Sequence, residues 1–383
     1  MKDNEKESMN SIERVATILD LKEPDRVPTW VLMDWLPAKY YDITKEELVF
    51  DPIKAQKANE WVFNEVGGFD LGIAGGAMYP IHINPFPIIF SSYYLDWMLP
   101  SRQLGIDSSP QLAERSTSNP IMTVEDYDTI AKEGFLKLFN FRNATMGDLM
   151  KLNKKASLVA ENTKRWIEVY KVPSLADSGT FLPFEVLSYL RGSTNFMKDI
   201  YRYPDKIKTV SDFMIDGMIA IGEYAASLAG GNVILIGTIR SSADFISEKV
   251  FEDLVFPYLK KMVSKFIKDG YLVQLHCDTD WTDRLHYFTE LPKGKIYMHM
   301  DERTDIKKAK EILGSHMAIE GNFKPSLFTL GTPNQIEKRT KEIIDDCADG
   351  GGLWVGVEIP DDAKLENLKA MIDTCKTYGV YRK

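Results

Sequence analysis

The chain has 383 residues, of which 44% are hydrophobic, and this length allows either two ordinary domains or one large α/β barrel. Its formal net charge is -9 and its basic residues are interspersed with acids, which excludes a general binder of nucleic-acid backbones. No run approaches the roughly 18 to 20 apolar residues that cross a bilayer, and the first segment, MKDNEKESMNSIERV, is charged where a signal peptide is apolar. Only three scattered cysteines occur, which is typical of a reducing compartment. We therefore expect a cytoplasmic protein.

The segment MYPIHINPFPIIFSSYYLDWMLPSRQLGID, residues 78–107, is rich in aromatic residues and proline and poor in charge. Core packing or a homodimer contact explains this composition, and so does a wall for a planar aromatic substrate or an apolar surface for a partner protein. The aromatic residues that we expect to contact such a substrate are Trp30, Trp35, Tyr79, Phe86, Tyr94 and Trp97.

The second half of the chain alternates short apolar runs with amphipathic stretches. GNVILIGT, YLVQLH, GKIYMHMD, MAIEGN and GLWVGVE are typical of strands, and SEKVFEDLVFPYLKKMVSKFIKDG is typical of a helix that stops at glycine. A further helix is predicted for DWTDRLHYFTELP. Repeated βα units of this kind predict a parallel sheet, either doubly wound or closed as a (β/α)8 barrel.

Polar residues follow nearly every predicted strand, in GTIRSSAD, HCDTD, HMDER and VEIPDD. An active site assembled from the C-terminal mouth of a barrel has this pattern, which favours the barrel over the doubly wound sheet. No glycine-rich phosphate loop opens a helix after the first strand, and this argues against a dinucleotide-binding fold.

The cluster that ends the run LVQLHCDTDW is the first candidate site. His276 and Asp278 are two residues apart on a strand and point to the same side, whereas Cys277 points to the other. His299 ends the next strand and faces the same pocket if the barrel is formed. The alternative is purely structural: His276 ends its strand with a hydrogen bond, and Asp278 and Asp280 cap the following helix.

Three further residues are candidates for catalysis. Arg240 and Asp244 follow a strand and precede a helix, so they can hold a substrate or partner at the barrel mouth. Alternatively, Asp244 only caps the helix and Arg240 is its ion-pair partner. Glu185 lies among apolar residues in LPFEVL, where burial would raise its pKa and suit it to proton transfer, although a helix-surface position is an equal alternative.

Six segments, in the correct order, resemble the uroporphyrinogen decarboxylase superfamily, which includes porphyrinogen decarboxylases and corrinoid-linked methyltransferases. They are SIERVATILDLKEPDRVPTW, GTFLPFEVLSYLRGSTNFMKDIYRYPDKI, DFISEKVFEDLVFPYLKKMV, MAIEGNFKP, LGTPNQIEKRTKEII and GVEIPDDAKLENLKAMID. The resemblance implies a single (β/α)8 TIM barrel over residues 1–383, with an N-terminal helical extension.

The resemblance also indicates to which branch of this superfamily the chain is more similar. The decarboxylases hold substrate carboxylates with an arginine-rich motif after the first strand. This chain has no arginine between Arg26 and Arg102, and a substrate would meet Trp30, Asp34 and Trp35 instead. The sequence therefore argues against decarboxylation of uroporphyrinogen.

In the methyltransferase branch, zinc is held by a strand ending in His-x-Cys and by a cysteine in a G-C-E-I-P pattern. This chain keeps His276 but has Asp278 and Val357 at the two cysteine positions. The resemblance therefore implies zinc bound through nitrogen and oxygen by His276, Asp278 and Glu358, with Asp280 or Asp301 as other acids within reach. Such an ion is a stronger Lewis acid and suits an ether oxygen.

The resulting hypothesis is a methyltransferase of the O-demethylase type, acting on an aryl methyl ether. Nothing in the chain looks like a cobalamin-binding domain, so the corrinoid is expected on a partner protein, which docks over the barrel mouth. The alternatives are a non-catalytic small-molecule-binding barrel that has lost its metal, and a decarboxylase-like lyase. The predicted catalytic residues are Glu185, Arg240 and Asp244, and the predicted substrate-binding residues are Trp30, Asp34, Trp35, Tyr79, Trp97 and His299.

Overall fold

The computed structural model describes residues 7–33, 36–44, 47–48, 51–72, 122–134, 160–174 and 176–381. Several of the predicted site residues lie outside the described residues, namely Asp34, Trp35, Tyr79, Phe86, Tyr94 and Trp97. Their predicted contacts with a substrate therefore remain predictions.

Eight described strands form one parallel sheet: β1 Thr29–Met33, β2 Leu71–Gly72, β3 Ser178–Phe181, β4 Val233–Thr238, β5 Leu272–Cys277, β6 Ile296–Met300, β7 Ala318–Asn322 and β8 Leu353–Ile359. The order in the sheet is β2-β1-β8-β7-β6-β5-β4-β3, which is the cyclic order of a barrel opened between β2 and β3. A parallel bridge between Gly72 and Ser174 brings the chain before β3 alongside β2. The predicted (β/α)8 barrel is confirmed.

The described α-helices are α1 Ser11–Leu19, α2 Leu36–Tyr41, α3 Pro52–Glu65, α4 Asp126–Glu133, α5 Pro183–Arg191, α6 Ser193–Arg202, α7 Pro204–Ala229, α8 Glu248–Leu254, α9 Phe256–Lys268, α10 Ile306–Leu313, α11 Ser326–Leu330, α12 Pro333–Cys347 and α13 Leu365–Thr377. A π-helical turn covers Trp166–Tyr170 and a 3-10 helix covers Thr282–Glu290. Among the described residues, no helix combines the length and apolar character that crossing a bilayer requires.

Two predicted helices differ from the structure. The helix expected between β4 and β5 is two helices, α8 and α9, with a break at Val255. Pro257 explains the break, because proline has no N–H for the helical ladder and its ring clashes with the carbonyl of the preceding turn. The stretch after β5 is a 3-10 helix, Thr282–Glu290, instead of an α-helix.

The N-terminal helix α1 closes the bottom of the barrel. Asn10 caps this helix in a capping box with Glu13, and its apolar face buries Val15 and Ile18. These two side chains pack in one cluster with barrel residues whose side chains fill the lower interior, namely Trp30, Leu32, Leu71, Val233, Tyr297, Ala318 and Trp354. A larger apolar core lies between the strands and the surrounding helices.

Candidate active site at the barrel mouth

The strand register places the site residues in one layer of the barrel interior, above the apolar cluster that fills its lower part. In neighbouring strands, Phe181 pairs with Gly237, Gly237 with His276, and His276 with His299. Residues paired side by side in a parallel sheet point to the same face, so these four positions all face the barrel interior near its C-terminal end. The imidazole rings of His276 and His299 stack, with centroids 4.7 Å apart and an interplanar angle of 18°.

A buried carboxylate orients His299. Nδ1 of its ring lies 3.0 Å from Oε2 of Glu320 on β7, and Trp30 packs edge-on at a centroid distance of 4.9 Å. A carboxylate partner favours the tautomer with the proton on Nδ1, which leaves Nε2 as a lone-pair donor. Burial acts to raise the pKa of Glu320 and His299 acts to lower it; burial is the larger effect, so the net shift is upward. The other carboxylate oxygen, Oε1, is buried with no hydrogen-bond partner among the described residues.

His276 forms an ion pair with Asp278, with Nε2 and Oδ1 3.2 Å apart. Burial disfavours a charged imidazole here, but the carboxylates of Asp278, Glu358 and Glu320 outweigh it and raise the pKa of His276 to about 9. Burial acts to raise the pKa of Asp278, and its pairing with His276 lowers it below the usual range. In the absence of a metal, these two side chains are therefore a charged pair at neutral pH.

His276, His299 and Glu358 offer one ligand atom each within 4.8 Å of one another. A catalytic zinc ion takes two histidine nitrogens and a carboxylate oxygen at about 2.0 to 2.2 Å in tetrahedral geometry, which places the ligand atoms about 3.3 to 3.6 Å from one another. Binding therefore requires these side chains to move closer together. The donor set therefore fits a zinc ion or another divalent metal that prefers nitrogen and oxygen ligands, with a coordination position left for a substrate.

The structure changes the roles that the sequence predicts for these residues. His276 and Glu358 lie together, as the predicted metal site requires. The third member of the cluster is His299, predicted to bind substrate, while Asp278 pairs with His276. Glu320 was missed, although an acid in the apolar strand MAIEGN, with interior-facing parity, was a usable signal.

A small cavity of about 60 Å³ lies between the ends of β6, β7 and β8. Its polar lining consists of four acids, one amide and one histidine, namely Asp278, Asp301, Glu302, Glu358, Asn322 and His299. Asp301 raises the pKa of Glu302 to about 7 by hydrogen bonding and charge repulsion. The cavity adjoins the ligand atoms and is large enough for only a few atoms of a substrate.

Trp30 has a different place from the one predicted. Its side chain is fully buried on β1 and lies against Gly356 on β8, where a Cβ atom would be 2.0 Å from the indole. The absence of a side chain at Gly356 makes this packing possible. Trp30 therefore supports the ring of His299 from inside the barrel and does not form an open wall for a substrate.

Glu185 and Arg240 form a second buried group at the mouth. Glu185, in the first turn of α5, is fully buried, and its two carboxylate oxygens accept the backbone N–H of Arg240 at 2.9 and 3.0 Å. Burial raises the pKa of Glu185 to about 7. Nη1 of Arg240 donates to Oγ of Ser188 at 3.0 Å, and its guanidinium lies 4.0 Å from the ring centroid of Tyr189. Of the two alternatives that the sequence left open for Glu185, the structure shows the buried one.

The structural alternative for Asp244, a helix cap paired with Arg240, does not occur. Asp244 instead accepts two hydrogen bonds from Arg303, at 2.7 and 3.0 Å, on the exposed rim of the mouth. It does not cap a helix either, because Ser247 is the cap of α8. Asp280 does accept the N–H of Thr282 at 2.9 Å, as the structural alternative for that residue required.

Comparison with known proteins agrees with this architecture. The family model described as uroporphyrinogen decarboxylase (URO-D) matches residues 135–378. A solved structure described as a methyltransferase from Methanosarcina mazei superposes with a TM-score of 0.65 and 16% identity, covering 97% of this chain and 99% of that one. At that identity, the similarity shows the fold.

Two curated relatives match at the sequence level. The methylcobamide:CoM methyltransferase MtbA of Methanosarcina acetivorans is 25% identical over 199 residues, 51% of this chain and 56% of the relative. A uroporphyrinogen decarboxylase of Syntrophotalea carbinolica is 24% identical over 211 residues, 53% of this chain and 59% of the relative. The chain spans less than two thirds of the length of these relatives. Since the family model covers well over half of the chain, this protein belongs to the uroporphyrinogen decarboxylase family.

Proposed function

We propose that this protein removes a methyl group from the oxygen of a small methyl ether and delivers it to the cobalt(I) corrinoid of a separate protein. The relative named as a methylcobamide methyltransferase supports the methyl-transfer chemistry. The observation that carries the proposal is the meeting of two histidines and a carboxylate, His276, His299 and Glu358, at the mouth of the barrel.

The absence of cysteine from this cluster supports an oxygen leaving group. Among the described residues, Cys277 is the cysteine nearest in sequence to the cluster, but it is buried and accepts a hydrogen bond from Oγ1 of Thr238 at 3.3 Å. Burial raises its pKa far above the usual range. The donor atoms left at the mouth are imidazole nitrogens and carboxylate oxygens, which donate less electron density to a metal than thiolates do.

When bound, a zinc ion supplies Lewis acidity for the departing oxygen. The methyl carbon leaves that oxygen, the electron pair of the broken bond stays on the oxygen, and the corrinoid provides the pair for the new bond. Glu320 holds the ring of His299 with Nε2 directed away from the carboxylate, and Trp30 packs against its edge. These contacts position the ligand set before substrate arrives.

Metal content and methyl transfer test the proposal together. Protein purified without a metal-affinity tag should contain about one zinc per chain by mass spectrometry, and should form methylcobalamin from a methoxylated aromatic compound and cobalt(I) corrinoid. His276→Ala and His299→Ala should lose both properties. His286→Ala, which removes an exposed histidine on the 3-10 helix, is the matched control and should retain both.

Two outcomes would refute the proposal. One is wild-type protein without a stoichiometric metal. The other is His276→Ala or His299→Ala protein with wild-type metal content and wild-type methylcobalamin formation. Either result would leave the non-catalytic binding barrel as the better description.

A further inference from the structure

Arg240 lies on the same mouth as the proposed metal ligands. It follows the end of β4, whose Thr238 pairs with Cys277 at the end of β5. The loops that follow these two strands are joined by a hydrogen bond of 2.6 Å between Ser242 and Thr279. The Arg240 side chain is therefore held one strand away from His276.

The guanidinium of Arg240 is buried and forms no salt bridge with a carboxylate of the described residues, although its charge acts at longer range on Glu185 and Asp278. The residue is 5% exposed, and the hydrogen bond to Ser188 is the one that its side chain makes to the described residues. The other guanidinium N–H groups have no described acceptor. Buried donors are stabilised by acceptors, so the remaining N–H groups of this guanidinium are available to an oxyanion that enters the mouth.

The other buried arginines show what satisfied guanidinium groups look like in this protein. Arg14 and Arg26 form ion pairs with Asp70. Arg284 donates to the backbone carbonyls of Ser241 and Ile246. Among the described buried arginines, Arg240 is the one whose side chain has a single hydroxyl as its hydrogen-bond partner.

Contacts from α5 hold Arg240 in place and leave most of its guanidinium N–H groups without a described acceptor. The Glu185 carboxylate bonds to the backbone N–H of Arg240, Ser188 accepts from Nη1, and the Tyr189 ring lies beneath the guanidinium. A planar guanidinium fixed in this way keeps its remaining donors in a fork that matches a carboxylate.

Acidic and apolar side chains near Arg240 favour one orientation of an anionic ligand in the mouth. Asp301, Glu302 and Glu358 line the cavity at the ends of β6 to β8 and repel an anion, and Asp278, which is nearer to Arg240, is paired with His276. On the other side of β4 from these acids, the Phe181 ring on β3 covers Gly237, where a Cβ atom would lie 2.5 Å from it. An anionic ligand therefore has its charge at Arg240 and an apolar body over this ring.

From these contacts, we infer that Arg240 is the anchoring site for an oxyanionic group, a carboxylate or sulfonate, on the methyl donor. This inference rests on the proposed function for the identity of the ligand as a methyl donor. The negatively charged end binds at Arg240, and the methoxy end then points to the side of His276, His299 and Glu358. Arg240 is a substrate-binding residue in this arrangement and Glu185 is its positioning residue.

Binding measurements on matched ligands test the inference without requiring turnover. Calorimetry on wild-type protein, with and without its metal, should show 4-methoxybenzoate or 4-methoxybenzenesulfonate binding about 10- to 100-fold more tightly than the neutral 4-methoxybenzamide. Whichever of the two anions binds more tightly identifies the oxyanion. Equal affinities for the amide and for both anions would overturn the inference.

Variants locate the binding site. Arg240→Met should abolish the preference for the anion, and Arg240→Lys should recover only part of it because an ammonium lacks the fork. Arg303→Gln, at the exposed arginine that pairs with Asp244, should keep the wild-type preference. A preference that survives Arg240→Met in folded protein would overturn the assignment. The comparison of ligands on wild-type protein remains decisive if that variant does not fold.

The two proposals fail in different ways. If the anion binds through Arg240 but methylcobalamin never forms, the proposed function is wrong and the anion site stands. If methylcobalamin forms equally well from the anion and from the amide, the proposed function stands and the inference about Arg240 is wrong.

Discussion

The two ends of the barrel differ in how their buried charged side chains are hydrogen-bonded and paired. At the N-terminal end, Arg14 and Arg26 both contact Asp70, which also accepts the N–H of Thr29 at 2.9 Å. At the C-terminal mouth, Arg240 forms no salt bridge with a described carboxylate and donates one side-chain hydrogen bond, to Ser188, and Oε1 of Glu320 has no described hydrogen-bond partner. The first arrangement is complete within the chain, whereas the second leaves donors and acceptors for a ligand or metal.

The difference also appears in the carboxyl groups. At the N-terminal end, burial acts to raise the pKa of Asp70, but Arg26 and Arg14 overcome it, so the net shift is downward. At the mouth, burial dominates and the pKa values of Glu185 and Glu320 are raised. At the closed end two arginines lower the pKa of the buried carboxyl group, whereas at the open end buried carboxyl groups keep raised pKa values, as is common at functional sites.

The largest effect is expected at the closed end. Asp70→Asn leaves two buried guanidinium groups without their shared carboxylate, and should lower the free energy of unfolding by about 3 to 5 kcal/mol in urea denaturation. Asp20→Asn, which alters an exposed acid beside Lys22, is the control and should leave the urea midpoint unchanged. An Asp70→Asn variant as stable as the control would mean that the two ends of the barrel do not differ as described.

A pH-dependent effect is expected at the mouth. The pKa of Glu185 is about 7 in the folded protein and about 4.5 when unfolded, so the folded state holds this proton more tightly. The resulting stabilisation is complete below about pH 4.5 and is lost as the pH rises through 7. Relative to Glu185→Gln, which is neutral throughout, the wild type should lose about 3 kcal/mol between pH 4.5 and pH 8.

Urea denaturation of both proteins at several pH values measures this difference, in which other titrating groups cancel. Glu311→Gln, at an exposed acid on α10, is the matched control and should follow the wild-type curve. Parallel curves for wild type and Glu185→Gln would show that Glu185 keeps an ordinary pKa in the folded protein.

The smallest effect is expected at Glu320. Replacing this orienting carboxylate by an amide in Glu320→Gln should weaken metal binding about 10- to 100-fold, as measured by competition with a chromophoric chelator. Stability without metal should stay about the same, because the amide oxygen can still accept from Nδ1 of His299 and a buried carboxyl group with a raised pKa is replaced by a neutral group. A loss of stability as large as that expected for Asp70→Asn would show that Glu320 is structural.

The sequence predicts much of the fold and part of the site. Local patterns predicted β4 to β8, because apolar runs bounded by glycine and polar residues are recognisable within a few positions. The polar strand ends correctly indicated the C-terminal mouth. The break at Val255 was missed because an otherwise strong helical pattern masked Pro257. The sequence placed Asp278 beside His276 and Glu358 in the candidate metal site, whereas the structure brings His299 to these two residues.

What the sequence determined by itself was therefore the alternation of elements and the face to which each side chain points, since parity along a strand is a local property. Only the tertiary structure decided that His276 stacks on His299, that Glu320 orients His299, and that Arg240 contacts Ser188 instead of Asp244. These pairings depend on the register of separate strands and on the loops between them. Packing of the whole barrel sets that register, and no short segment encodes it.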